Sequence, residues 1–393
     1  MSRSGRLLKW INVLVLLLLL SYVAYRSGWL DGLWSRRSAP VEAPLSLAPG
    51  LRLDAVEVHQ GSWFTVFFTR PRYPDRPEGR HGGLDEVFVA DLDRAQHSID
   101  IAVFDLDLPR VVEALLRAHR RGVRLRLVLD AENLSDPRMA RAVQALQQAG
   151  IPIRWDEREA FMHNKFAILD GRVLWTGSWN MTENDTYRNN NNMLRVSIPE
   201  LVANYVRRFE HLFEGRMGQE APRDTPYPVV TLSGPVRIET YFSPGGGAAQ
   251  AIEDRLSRAR ERIYVMAFAF TADAQARLLI EKHRQGLLVR GVFESRNVQG
   301  SGSDFARLRR AGLDVREDTN PYIMHHKVYV IDGRIVITGS YNFTASAERA
   351  NDENLLIIED PELARYYEEE FARLYEQAQA RAPIGSGRPP ARP

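Results

Sequence analysis

Residues 162–171 read Met162-His163-Asn164-Lys165-Phe166-Ala167-Ile168-Leu169-Asp170-Gly171, and Thr176-Gly177-Ser178-Trp179-Asn180-Met181-Thr182 follows. The pattern then returns as Met324-His325-His326-Lys327-Val328-Tyr329-Val330-Ile331-Asp332-Gly333, followed by Thr338-Gly339-Ser340-Tyr341-Asn342-Phe343-Thr344. His-x-Lys, four residues, Asp, then Gly-Ser-x-Asn thus recurs at an offset of 162 residues. On a strand, residues i and i+2 face the same side. His163 therefore projects with Lys165, and His325 with Lys327. The apolar run behind each lysine enters a core and ends at Asp170 or Asp332 beside a glycine turn. A second strand brings Gly-Ser-x-Asn alongside. Two such copies packed face to face place two histidines, two lysines and two asparagines around one space.

The flanks repeat as well. Ile99-Asp100-Ile101-Ala102-Val103-Phe104 matches Ile263-Tyr264-Val265-Met266-Ala267-Phe268, and Ala118-His119-Arg120-Arg121-Gly122 matches Lys282-His283-Arg284-Gln285-Gly286. Repetition on this scale marks two copies of one structural unit. Each copy alternates β-rich runs, such as Val123–Leu129 and Leu287–Phe293, with amphipathic stretches such as Leu84–Ala95 and Pro109–Arg121. Apolar residues at three- and four-residue spacing predict helices. Strands alternating with helices predict an α/β fold of two pseudo-symmetric halves, each a mixed, mainly parallel sheet flanked by helices. The expected organisation is an N-terminal hydrophobic segment at 1–35, a tether at 36–60, a first half at 61–217, a linker at 218–235, a second half at 236–380 and a tail at 381–393. The first copy carries an extra Pro-, Arg- and Gly-rich loop, Arg70–Gly83.

The cluster of side chains suits a phosphodiester. Lysines neutralise the non-bridging oxygens and asparagine amides donate to them. One histidine attacks phosphorus and the other protonates the leaving oxygen. The paired motif closely resembles the phospholipase D superfamily, over nearly all of residues 61–380. The resemblance implies metal-independent, cofactor-free phosphodiester chemistry through a phosphohistidine, in a single-chain site between two α/β halves that requires no obligate dimer. It makes His163, Lys165, Asp170, His325, Lys327 and Asp332 the catalytic set, with His163 the nucleophile by the family pattern. Ser178, Asn180, Ser340 and Asn342 become phosphate binders, and no metal is expected. Downstream, the second copy has Glu353-Asn354, the acid–Asn pair of many members, where the first has Asn191-Asn192. The halves are therefore expected to differ in role, with Glu353 supporting. His326 reads as a bystander, because its side chain points opposite to that of His325.

The 393 residues include no cysteine, which excludes disulfides, thiolate metal sites and a cysteine nucleophile. The net charge of +2 is uneven: residues 1–60 carry +3 and Arg381–Pro393 another +3, leaving −4 between them. An acidic body argues against a polyanionic partner, since phosphate contacts need basic surface. Lys9 and Arg26 bound an uncharged run, Trp10–Tyr25, that reads as a retained signal anchor or, alternatively, a cleaved secretory signal. The reading is a membrane-anchored, extracytoplasmic phospholipase D-type hydrolase of glycerophospholipids. A nuclease with the same site and a cardiolipin synthase-type phosphatidyltransferase remain as alternatives.

Overall fold

The computed structural model describes Leu51 and residues 53–380. The hydrophobic segment at 1–35, most of the tether and the tail at 381–393 lie outside these residues. Among the described residues no helix is long and apolar enough to cross a membrane.

The first sheet is built from β1 (Val56–Gln60), β2 (Phe64–Thr69), β3 (Ser98–Val103), β4 (Arg124–Asp130), β5 (Ile153–Asp156), β6 (Lys165–Leu169), β7 (Val173–Gly177) and β8 (Asn192–Val196), in the spatial order β1-β2-β8-β7-β6-β3-β4-β5. Its helices are α1 (Leu84–Arg94), α2 (Pro109–Arg120), α3 (Pro137–Gln148), α4 (Glu183–Tyr187) and α5 (Pro199–Phe213). The second sheet comprises β9 (Val229–Thr231), β10 (Arg237–Ser243), β11 (Arg262–Ala267), β12 (Leu288–Phe293), β13 (Asp314–Glu317), β14 (Lys327–Ile331), β15 (Ile335–Gly339) and β16 (Glu353–Glu359). Its order, β13-β12-β11-β14-β15-β16-β10-β9, runs through the same topology. The helices here are α6 (Ala248–Arg258), α7 (Asp273–Arg284), α8 (Phe305–Arg310), α9 (Ala345–Arg349) and α10 (Pro361–Ala380). Each half closes its own apolar core. Helix α5 lies over the first sheet and α10 over the second.

Both sheets are mixed, but the expectation that they are mainly parallel is wrong. Only β3-β4-β5 and β11-β12-β13, joined by helical crossovers, are parallel. The other neighbours are antiparallel. The reason sits in the motif itself. Asp170 and Gly171 adopt φ of 54° and 63°, and Arg172 N–H donates to Leu169 O at 2.9 Å. An Asp-Gly pair with both φ positive is the turn of a tight antiparallel hairpin. Asp332-Gly333 builds the same turn between β14 and β15. Two segments expected as connections also join the sheets. Val56–Gln60 pairs with β2 as an edge strand, and Val229–Thr231 pairs with β10.

The halves are stitched by a reciprocal exchange of backbone. His163 N–H donates to Asp352 O and Asp352 N–H to Phe161 O, at 2.9 and 2.8 Å. At the symmetric place His325 N–H donates to Asn190 O and Asn190 N–H to Ile323 O, both at 2.9 Å. The segment entering each His-x-Lys motif is thus fixed by the opposite half.

Candidate active site

Asp130 at the end of β4 accepts from Met162 N–H, and Glu294 just past β12 accepts from Met324 N–H. These carboxylates and the cross-half backbone bonds place His163 and His325 before the mouths of β6 and β14. Each histidine is 7% exposed, so each ring keeps a narrow route to solvent, while Lys165 and Lys327 are fully buried. Lys165 Nζ donates to His163 O at 2.9 Å and Lys327 Nζ to His325 O at 2.8 Å. One of three ammonium protons is used in each case. Phe104, just after β3, meets the His163 ring edge-on at 5.2 Å and lies under Lys165. Phe268, just after β11, does the same for His325 and Lys327.

The second partner of each histidine comes from the other half. Glu353 accepts from His163 Nδ1 at 2.8 Å. Asn191 Oδ1 lies 2.9 Å from His325 Nδ1. The expected inequality of the halves is therefore real, but crossed: the acid carried by the second copy serves the histidine of the first. A carboxylate on Nδ1 fixes the tautomer and leaves the Nε2 lone pair facing the site.

The field at the site is positive. Burial pushes the His163 imidazole below its ordinary value, and Lys165 and Lys327 add to this against Glu353. His325 is pushed well below, by burial and then by Lys327, Lys165 and His163. Burial brings Lys165 down to about 8, with Glu353 and Asp185 opposing. Lys327 lies well below its ordinary range, through burial and then the charge of Lys165. Two buried ammonium groups facing two neutral imidazoles are costly unless an anion joins them.

Several expected members stand elsewhere. Asp170 and Asp332 do not reach the histidines. They close the hairpins at the far ends of β6 and β14, beyond a five-residue strand of about 16 Å at roughly 3.3 Å per residue. Asp170 accepts from the backbone N–H groups of Gln96, His97 and Ser98, and Asp332 from those of Arg260, Glu261 and Arg262. Burial opposes the Asp170 charge, but the three donors outweigh it and hold the carboxyl below its ordinary value. Ser178 and Ser340 are fully buried and give their hydroxyl protons to Asn191 Oδ1 and Glu353 Oε2, at 2.8 and 2.6 Å. They hold the partners of the histidines, which leaves no proton for a phosphate. Asn180 and Asn342 are half-buried at the ends of β7 and β15, and neither amide oxygen has a partner. Their amides are not consumed by the fold.

His326 does point away from His325, but it is no bystander. Its Nδ1 meets Asn192 Nδ2 at 2.9 Å and its Nε2 meets Glu370 on α10 at 3.0 Å. Arg70 and Arg373 hold the same carboxylate. The Arg70–Gly83 loop is likewise tied in, Arg80 pairing with Asp75 and Glu183. Sequence reasoning missed Asp352, fully buried between Arg158 and Arg208. Its signal was its place beside Glu353.

The family model described as "Cardiolipin synthase, PLD-like domain" matches residues 88–213 and 252–375. The chain belongs to the phospholipase D superfamily. Its two matched stretches are the two halves seen in the fold. A phospholipase D of Rickettsia felis is 40% identical over 131 residues, 33% of this chain and 66% of that protein. The human mitochondrial cardiolipin hydrolase is 39% identical over 133 residues, 34% of this chain and 53% of that one. The chain thus spans only about half to two thirds of the length of these relatives. The crystal structure of phosphatidylserine synthase from Haemophilus influenzae Rd KW20 superposes with a TM-score of 0.62 at 14% identity, covering 81% of this chain and 88% of that one. At that identity the likeness establishes the shared superfamily fold.

Proposed function

We propose that the chain is a phospholipase D-type phosphodiesterase that hydrolyses glycerophospholipids through a phosphohistidine. The observation that carries this reading is the convergence of Lys165 and Lys327, both buried, on two histidines whose Nδ1 atoms are held from the opposite half. A phosphodiester anion entering between the lysines relieves their repulsion. The Asn180 and Asn342 amides are available to its non-bridging oxygens.

In the first step His163 Nε2 forms a bond to phosphorus while the bond from phosphorus to the headgroup oxygen breaks. His325 delivers a proton to that oxygen as the alcohol leaves. The imidazole of His163 now carries phosphatidyl and a positive charge, which Glu353 balances across 2.8 Å. In the second step His325 removes a proton from water, the water oxygen bonds to phosphorus, and the bond to His163 breaks. Phosphatidic acid is released and both histidines return to their starting states. The anionic substrate raises the His325 pKa from its depressed value in the protein alone, which lets it hold the proton it must donate. Every step uses protein side chains, so the reaction proceeds in chelator.

Lipid is favoured over nucleic acid by the −4 body. The segment Trp10–Tyr25 would anchor the enzyme and hold its extracytoplasmic body against bilayer substrate. The test is product release from vesicles of phosphatidylcholine, phosphatidylethanolamine, phosphatidylglycerol or cardiolipin in EDTA, beside single-stranded and duplex DNA and RNA. Headgroup or phosphatidic acid release supports the reading. Turnover of nucleic acid alone replaces it with the nuclease, and phosphatidyl transfer to an added alcohol in place of water replaces it with the synthase.

A further inference from the structure

Comparing the two copies position by position exposes a second difference besides Asn191 and Glu353. Six residues earlier, the first copy has Asp185 where the second has Ala347. Both lie on the short helix capped by Thr182 or Thr344, whose hydroxyls accept from Asp185 N–H and Ala347 N–H. Ala347 is fully buried and Asp185 only 3% exposed, so the two side chains occupy equivalent interior positions. Asp185 Oδ2 accepts from Asn180 N–H at 2.7 Å and lies 3.5 Å from His325 Nδ1. Its other oxygen accepts from Asn189 Nδ2 at 2.6 Å. Asn191 Nδ2 in turn donates to the Asp185 carbonyl. Where one copy has an acid the other has a neutral residue, at both positions.

We infer that Asp185 is the positioning residue that supplies the negative charge for His325, in place of the acid missing at Asn191. On His163 one group, Glu353, both orients the ring and balances its charge. On His325 these tasks are divided: Asn191 orients, through a neutral amide oxygen, and Asp185 compensates charge from 3.5 Å. The division suits the proton donor. The amide orients the ring and the nearby charge lets the imidazolium form and discharge. Beyond burial, Lys327, Lys165, His163 and His326 all push the His325 imidazole down, while Asp185 is the carboxylate paired with its Nδ1, Glu353 is held on the opposite histidine and Glu294 on the Met324 N–H.

The inference rests on the phosphodiesterase reading only for its kinetic arm. Asp185→Asn keeps size and an acceptor for Asn180 N–H while removing the charge. General acid catalysis matters for an alkoxide leaving group and little for nitrophenolate. The variant is therefore expected to be about tenfold or more slower on phospholipid in kcat, with KM little changed, and nearly normal on bis(p-nitrophenyl) phosphate. The basic limb of its phospholipid kcat/KM profile should move about one pH unit towards acid, because His325 loses its proton more easily. Asp185→Ala combined with Asn191→Glu copies the second half into the first and should restore most of the phospholipid rate. Equal slowing on both substrates with an unmoved basic limb, or no rescue by the exchange, would overturn the proposal. The kinetics-free arm follows the His325 ring by NMR against pH in inorganic phosphate, wild type beside Asp185→Asn. A midpoint that fails to fall in the variant overturns the assignment of Asp185, whether or not the protein cleaves any phosphodiester. Inactivity of the wild type on every phosphodiester overturns the activity instead.

Discussion

Replacing Asp170 with alanine removes the acceptor for the N–H groups of Gln96, His97 and Ser98 and forces alanine into a φ of 54°. Two of these donors lie at the exposed surface and are rehydrated in the variant, so each bond is worth about 0.5–1 kcal/mol. The left-handed backbone adds about 1 kcal/mol for alanine. The loss is about 3 kcal/mol. With an unfolding entropy of roughly 2.1 cal/mol/K per residue over about 330 residues, the midpoint should fall by about 4 °C. Asp170→Asn tolerates the turn and should lose about half as much. Urea denaturation and thermal melting measure both. At a temperature where all variants are folded, turnover of bis(p-nitrophenyl) phosphate should stay within about twofold of wild type, since the whole length of β6, about 16 Å, lies between the carboxylate and His163. Unchanged stability with activity down by about a hundredfold would refute this placement and return Asp170 to the chemistry.

Asp352→Asn leaves Arg208 buried without its carboxylate and should cost about 3–5 kcal/mol, read as a fall in the urea midpoint. At Gly177 and Gly339 an added Cβ would stand 2.3 Å from the carbonyl oxygens of Asn192 and Asn354, so Gly177→Ala and Gly339→Ala should each destabilise by about 2–3 kcal/mol, checked by melting. Burial and the adjacent Glu294 push Asp318 up to about 8, and Glu294 is raised too. Acids that hold protons in the fold contribute stability that is complete below the unfolded carboxylate range near ~4 and is lost as pH rises towards about 8. Asp318→Asn should therefore gain on wild type in urea midpoint between about pH 5 and pH 8. An identical pH slope in both proteins would contradict the pairing.

The duplicated motif was enough to read two related halves and one shared site, because strand periodicity alone puts His163 with Lys165 and His325 with Lys327. The strand directions differ from expectation because helical crossovers set only β3-β4-β5 and β11-β12-β13, whereas Asp170-Gly171 and Asp332-Gly333 are hairpin signals inside the motif. The family resemblance put these aspartates among the catalytic groups, whereas their carboxylates face the chain entering β3 and β11. Ser178 and Ser340 were expected as phosphate ligands on the family resemblance. Only the packing reveals that the hydroxyls are spent on Asn191 and Glu353. The contact from Glu353 to His163 spans 190 residues, and no local periodicity encodes it. The asymmetry between Asn191 and Glu353 was legible, yet which histidine each serves was not. Asp185 and His326 were hidden for a related reason: His325 and Asn192, which they respectively meet, lie across the seam between the halves.

The central claim is that one site, shared by both halves, forms a bond between His163 and phosphorus. Rapid acid-free quenching during turnover of a phospholipid, followed by mass spectrometry of the peptides bearing His163 and His325, tests it directly. The account predicts a phosphatidyl adduct on His163, accumulating in His325→Ala where water attack is slowed, and absent from an inactive His163→Ala. An adduct confined to His325, or turnover that survives His163→Ala, would contradict it.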